Sequence, residues 1–482
     1  MRSILLRGLL GSALLLLAGL TYARVPAHSS LHRFPLRLRA DHLTLGLSLA
    51  TAGLVLLTWA WLALVGRVSG DVHGVRNARW ATLAWTVPLL ASPPLFSNDG
   101  WSYVATGYLA GHGWSPYDST PSILSSSLRS GVDPVWRSTT SPYGPLPLVW
   151  GGAFSRLTSD PWLLLAAHRL LAFVGLGLLA LAVPVLARRA GVDPARTSAV
   201  ALASPLVVAH GIGGLHNDLL LVGLMACALA LTRKEVWWWG AVLAGAAAAV
   251  KLPGVSIGVG VVLLSLVPGA AVVARVRRAV QVFLTAAVTL LGLSAASGLG
   301  LGWTHGLGRS AHELARLAPT AVVGQWVRLR LLDLGPTGAR LVHELRPERT
   351  LESLGLVALA GVSAWILLLR PAPDDAAAIA GGAFVLLAAT LLIPTLHYWY
   401  FLWALPLLAC ARLSRRAEHT LVATLAVLGL TAVADPAVHV AWFAPAAFLV
   451  LALAPVLVWL AGPVLVRSVG NAGGVRRTLG RR

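Results

Sequence analysis

Long apolar stretches separated by short polar breaks fill most of the 482-residue chain. A helix needs ~20 apolar residues to cross the hydrocarbon of a bilayer, so each long run predicts a membrane span. The pattern places spans near 3–23, 42–66, 78–96, 162–187, 197–211, 217–232, 236–250, 252–268, 279–301, 351–369, 376–396, 399–411, 419–434 and 438–466. That is about fourteen transmembrane segments, an all-α polytopic membrane protein. The runs at 197–211, 236–250 and 399–411 are short for a perpendicular helix and read as broken or re-entrant pieces. Lys251-Leu252-Pro253-Gly254 reads as the turn of a hairpin over 236–268, because Pro and Gly together interrupt a helix. The first run, with Arg2 and Arg7 in front of it, resembles a signal peptide. The many spans behind it favour its retention as a first transmembrane helix.

Composition agrees with this reading. Residues are 57% hydrophobic and only 12% charged, against roughly a quarter charged in soluble domains. The formal charge of +20 would suggest nucleic acid in a soluble chain. Here the basic residues sit in short loops beside helix ends and in the tail 467–482, where they set topology and meet anionic lipid. The partner expected is therefore the lipid bilayer, with no nucleic acid. Cys227 and Cys410 lie singly in apolar segments, which leaves no disulfide framework and no thiolate metal site.

Arg188, Arg189, Arg196, Arg233, Lys234, Arg275, Arg277, Arg278, Arg370, Arg412, Arg415 and Arg416 all fall on one predicted side, which the positive-inside rule makes cytoplasmic. Arg24, Arg33, Arg37 and Arg39 run against it. With both termini inside, the two long polar stretches, about 97–161 and 302–350, face outward. The chain then divides into one membrane module, 1–466, and a basic cytoplasmic tail, 467–482.

Several familiar devices are missing: no Walker A loop, no HExxH, no Cys/His ligand cluster, no nucleophile elbow and no Asp-x-Asp metal clamp. Chemistry has to come from polar motifs at the outer helix ends. Phe96-Ser97-Asn98-Asp99-Gly100-Trp101-Ser102-Tyr103 puts a carboxylate at the water boundary, where Asp99 can take a proton from an acceptor hydroxyl. Its bland alternative is a helix cap by Asn98 or Asp99. Gly113-Trp114-Ser115-Pro116-Tyr117, Trp136 and Ser141-Pro142-Tyr143-Gly144-Pro145-Leu146 add aromatic faces that suit a sugar ring or an interfacial belt.

His216-Asn217-Asp218 precedes another apolar helix, whose N-terminus favours anions. His216 and Asn217 could hold a phosphate or position an acceptor, and Asp218 could orient His216 or act as a second carboxylate. Lys251 is one of only two lysines and can stabilise a departing phosphate, or it can snorkel to the interface. His168 and Arg169 pose the same choice inside a span. His397-Tyr398-Trp399-Tyr400-Phe401-Leu402-Trp403 marks a further aromatic helix end, and residues 302–350, with Trp303, His305 and several arginines, could lie on anionic membrane.

In order and spacing, these motifs resemble the polyprenyl-phosphomannose-dependent α-1,6-mannosyltransferases, a family with the GT-C fold. The likeness is carried by Ser97 to Tyr103, Ser115-Pro116-Tyr117, Ser141 to Leu146, His216-Asn217-Asp218, Lys251-Leu252-Pro253 and the aromatic run ending at Trp403. It implies a multi-pass cell-membrane enzyme with an extracytoplasmic site, where Asp99 is catalytic. It also implies a polyprenyl-phosphate-mannose donor, a mannan or lipomannan acceptor and inverting transfer that forms α-1,6 linkages, with neither nucleotide nor metal as cofactor. Lys251 and His216 would meet the donor phosphate. Asn98, Trp101, Tyr103, Tyr117, Tyr143, Asn217, Asp218, His397 and Tyr398 would line the substrate. Asn98 stands beside Asp99 where GT-C enzymes frequently carry a second acid. A transferase of another carrier-lipid sugar, such as arabinose or glucose, and a lipid or sugar transporter are the alternatives.

Overall fold

A computed structural model describes residues 1–26, 28–33, 43–305 and 318–431. Among these residues all regular secondary structure is helical. Six helices are long and apolar enough to cross a membrane: Arg2–Tyr22, Thr44–Val68, Pro161–Ala190, Val272–Ala296, Gly335–Leu369 and Asp375–Leu392. Pro194–Leu202 and Leu206–Gly213 form a further pair bent by 44°. The chain is therefore an all-α, multi-pass membrane protein by the length and composition of its helices.

Proline divides one run expected to be a plain span, and the short runs 197–211 and 399–411 are broken as the sequence suggests. The expected span 78–96 is a helix Gly74–Thr86 followed by a 3₁₀ turn Pro88–Ala91, because Pro88 lacks the amide that would continue the α-helical ladder. The 197–211 run is the broken pair, with Pro205 at the start of its π-helical half. Residues 236–268 resolve into helix Trp237–Ala248, an extended Lys251, a 3₁₀ helix Leu252–Ile257 and a short helix Gly258–Leu264. The 399–411 run becomes a 3₁₀ helix Tyr398–Trp403 and one α-helical turn, Leu405–Leu408. Within the expected polar stretch 302–350 lie two helices, Pro319–Leu332 and Gly335–Leu345. The expected span 438–466, the tail 467–482, Arg37 and Arg39 lie outside the described residues.

Helices in lipid gain little from hydrophobic contact with one another, so close backbone approach through small residues holds them together. Glycines meet glycines at several crossings. A Cβ on Gly11 would lie 2.8 Å from the carbonyl oxygen of Gly53, and one on Gly107 would lie 2.8 Å from Cα of Gly151. Gly175 and Gly223, and Gly260 and Gly382, touch in the same way.

The polar groups divide between the two ends of the bundle. Helix Pro161–Ala190 begins with Asp160, which accepts from the amides of Trp162 and Leu163, and ends in Arg188, Arg189 and a left-handed Gly191. At the arginine end, Arg189 pairs with Asp375 at 2.7 Å and donates to the carbonyls of Leu229 and Thr232. Arg412 pairs with Asp374 at 3.2 Å, Arg196 with Glu418, and Arg275 donates to the carbonyls of Leu367 and Arg370. At the opposite end, Asp160 also accepts from the amide and hydroxyl of Ser30, while the Trp101 indole donates to the Arg24 carbonyl at 3.0 Å. The segment carrying Arg24 thus packs on the 97–161 region, at the end opposite Arg189, Arg196, Arg275 and Arg412.

Candidate active site

Two chain reversals build the centre of this second end. Phe96 and Leu215 adopt φ of 61° and 58°, the left-handed region that bulky residues rarely occupy. Each precedes a short turn that delivers an Asn-Asp pair into a helix N-terminus: Asp99 opens Asp99–Gly111 and Asp218 opens Asp218–Leu231. The Leu95 amide donates to the Gly213 carbonyl at 2.9 Å and ties the two reversals together. Neither Asn98 nor Asn217 makes a side-chain capping hydrogen bond. The simple capping alternative therefore gains no support from either asparagine, and the Asp99 amide donates instead to Ser97 Oγ at 3.1 Å.

Asp99 has 13% of its side chain exposed and borders a small cavity lined also by Ser102, Thr106, Trp136, Thr140 and Tyr143. The Tyr103 hydroxyl donates to Asp99 Oδ2 at 3.4 Å and lies 3.4 Å from the Tyr143 hydroxyl. His216 Nδ1 lies 3.7 Å from the same carboxylate oxygen. Burial pushes the Asp99 carboxyl up to about 6, against the opposing pull of the Lys251 charge and with help from the Asp218 charge. In the turn between its two helices, His216 is driven well below the usual imidazole range, first by burial and then by nearby positive charge. The His216–Asp99 contact is thus made by a neutral ring rather than an ion pair.

Lys251 and Asp218 form the second polar cluster. Lys251 Nζ lies 3.1 Å from Asp218 Oδ1, an oxygen that also accepts from the Trp403 indole at 2.5 Å. The ammonium sits 3.9 Å from the ring centre of Tyr400, 5.2 Å from that of Trp403 and 5.6 Å from that of Tyr143. A cation surrounded by aromatic faces and one carboxylate is held without full hydration. Tyr143 reaches this cage because Gly144 and Leu146 donate to the carbonyls of Val250 and Ala249. A Cβ at Gly144 would collide with the Ala249 carbonyl oxygen.

The structure brings together Asp99, Tyr103, Tyr143, His216, Asp218 and Lys251 from the residues singled out in the sequence. Asn217 is buried beside them, with its side-chain amide nitrogen unpartnered among the described residues, and Asn98 is half-buried next to Asp99. His397 stacks on Trp399, which stacks on His216, with ring centres 4.4 and 3.9 Å apart. The other expected residues act at one remove. Trp101 is 1% exposed and packs against Gly131, Tyr117 donates to the Tyr143 carbonyl at 3.1 Å, and Tyr398 packs on His210. Arg169 donates to the Leu89 carbonyl, and the His168 ring lies 6.0 Å from that of Tyr103. Arg328 faces Glu348, and Arg330 faces Asp333.

Sequence reasoning missed Tyr400 and Trp403 as contacts of Lys251, and the hydroxyls of Ser102, Thr106 and Thr140. A signal existed for the aromatic pair. In a 3₁₀ helix side chains three apart eclipse one another, so positions 397, 400 and 403 share a face.

Known proteins match this chain over most of its length. Residues 5–268 match a family profile described as alpha-(1->6)-mannopyranosyltransferase, N-terminal domain, and residues 343–461 match one described as MptB C-terminal domain. Alpha-(1->6)-mannopyranosyltransferase A of Mycobacterium tuberculosis is 33% identical over 437 residues, which cover 85% of this chain and 80% of that protein. A probable alpha-(1->6)-mannopyranosyltransferase of Mycolicibacterium smegmatis is 31% identical over 76% of this chain and 71% of its own length. Alpha-(1->6)-mannopyranosyltransferase B of Corynebacterium glutamicum is 28% identical over 74% and 64%. No solved structure matches. On these matches the chain belongs to the alpha-(1->6)-mannopyranosyltransferase family.

Proposed function

We propose that this protein transfers mannose from a polyprenyl-phosphate-mannose donor to a mannan or lipomannan acceptor, forming an α-1,6 linkage with inversion at the extracytoplasmic face. Asp99 removes the proton from an acceptor hydroxyl, whose oxygen attacks the anomeric carbon from the face opposite the phosphate. The carbon–oxygen bond to phosphate breaks, and the polyprenyl phosphate departs with the bonding electrons. Lys251 supplies the positive charge that the leaving phosphate requires, with His216 and Tyr143 beside it. The chemistry needs no metal, because the base and the cation are both side chains.

One observation carries this reading: a buried carboxylate raised to about 6 borders a cavity beside a caged ammonium. A base poised near neutral pH is both ionised and strong enough to accept a proton. The arginines at the opposite end of the helices support the outward orientation through the positive-inside rule. A transporter would spread its polar groups around a midplane site between repeats. Here the Asp99 and Lys251 clusters lie together at one end of the bundle.

The test uses membranes containing the full chain, radiolabelled polyprenyl-phosphate-mannose and a short α-1,6-mannoside. Asp99→Ala should abolish product while expression and folding persist, and a turnover near that of the unaltered protein would overturn the assignment. A membrane-impermeant maleimide should label Asp118→Cys in intact cells, since Asp118 is exposed in the 97–161 region. Protection of that cysteine until the cells are lysed would refute the outward-facing site.

A further inference from the structure

We infer that the cavity beside Asp99 is the subsite for the acceptor sugar, with the Ser102 and Thr140 hydroxyls as its hydrogen-bonding groups and Trp136 as its ring-facing wall. The inference rests on the proposed transfer reaction and assigns one of its two substrates to a place.

Three features of the cavity point to a neutral, hydroxyl-rich ligand. First, among the described lining residues Asp99 alone carries a charged group, so a phosphate would meet a carboxylate and no cation. Second, Ser102 Oγ and Thr140 Oγ1 are buried and have no hydrogen-bond partner among the described residues. A helical serine or threonine commonly donates to the carbonyl four residues back. Thr106 does this, reaching the Ser102 carbonyl at 2.8 Å, whereas the Ser102 hydroxyl makes no such bond in a residue that lines the cavity. Third, Trp136 is half-buried at the cavity and offers an aromatic face of the kind that packs on a pyranose ring.

The wall carrying Thr140 is firmly placed. The Thr139 hydroxyl donates to the Val135 carbonyl at 2.7 Å, and the Ser141 amide donates to the Pro116 carbonyl at 2.9 Å. Asp99 then adjoins two unlike neighbourhoods, the cavity lined by neutral hydroxyl residues and, by way of Tyr103 and Tyr143, the Lys251–Asp218 cluster. Inverting displacement requires that arrangement. The base touches the acceptor, and the cation that receives the phosphate lies across the reacting carbon.

The experiment measures steady-state KM separately for polyprenyl-phosphate-mannose and for an octyl α-1,6-dimannoside, using the full chain in lipid nanodiscs. Ser102→Ala and Thr140→Val should each raise the acceptor KM about five- to tenfold, the effect of one lost hydrogen bond, and leave the donor KM unchanged. Thr140→Ser, which keeps the hydroxyl, should restore the acceptor KM. Lys251→Met should show the opposite bias and raise the donor KM. A rise in donor KM alone for Ser102→Ala and Thr140→Val would overturn the assignment, as would an unchanged acceptor KM in both. Inactivity of Asp99→Ala alongside such a result would leave the transfer reaction standing and remove only the subsite. If Thr140→Val proves unstable on heating, binding of the dimannoside to Ser102→Ala without donor, followed by tryptophan fluorescence, decides the point. Wild-type affinity there would equally overturn it.

Discussion

Two turns in this protein have the same local construction and opposite chemical surroundings. At Phe96–Asp99 and at Leu215–Asp218, a bulky residue with positive φ introduces an Asn-Asp pair whose acid begins a helix. The two acids then part company. Asp218 has no exposed side-chain surface and spends one oxygen on Lys251 and Trp403. Asp99 retains 13% exposure, faces a neutral imidazole and a tyrosine hydroxyl, and borders a cavity. Local sequence thus sets where a carboxylate is presented, and residues distant in the chain decide whether it holds a cation or remains available as a base.

The largest effects should separate these roles. Asp99→Asn should lower turnover by about 10²- to 10⁴-fold, the usual contribution of a positioned base. It should not lower the melting temperature, because a carboxyl raised to about 6 by burial is one whose charge the fold disfavours. Asp218→Ala should do the reverse in stability, costing about 3–5 kcal/mol by leaving the Lys251 ammonium buried and unpaired. The double variant Asp218→Asn/Lys251→Met should recover much of that stability while activity stays low. Thermal unfolding in detergent alongside turnover checks both. Equal destabilisation by the two single changes would erase the distinction between the turns.

The pH profile sharpens the comparison further. Asp99 works as a base only when ionised, so activity should be present above about 6 and be lost as the pH falls through that value. Lys251 is the nearby charge that pulls this pKa down. Its replacement in Lys251→Met should therefore move the acidic limb of the residual activity to higher pH. A limb that stays in place would mean that the two clusters are electrostatically independent.

Much of this contrast is legible in the sequence. Asp99, His216 and Lys251 stand out because each is a polar residue at the end of an apolar run, where solvation is expensive and a role is expected, and Tyr143 because it is an aromatic face in the long polar stretch that follows Asp99. The pairing of Lys251 with Asp218 and Trp403 was not legible, since it joins residues 33 and 185 positions apart around Asp218. Hydroxyls such as those of Ser102 and Thr140 give no sequence signal either. Serine and threonine satisfy themselves on the backbone in most helices, and only the packed fold shows which fail to do so. The break in the 78–96 run is not legible from hydropathy, which averages over the interruption that Pro88 makes.

The smallest predicted effect concerns the loop residue that borders both acids. Tyr143 touches the Asp99 side through Tyr103 and the Lys251 side through its ring, and its carbonyl accepts from the Tyr117 hydroxyl at 3.1 Å. Tyr117→Phe deletes that single hydrogen bond and should cost about 1 kcal/mol of stability. Because it loosens a shared wall rather than either acid, it should raise the donor and acceptor KM values together by a factor of about two to five. A change confined to one substrate would show that Tyr143 belongs to only one of the two neighbourhoods, and steady-state kinetics of this variant with each substrate varied in turn provides the measurement.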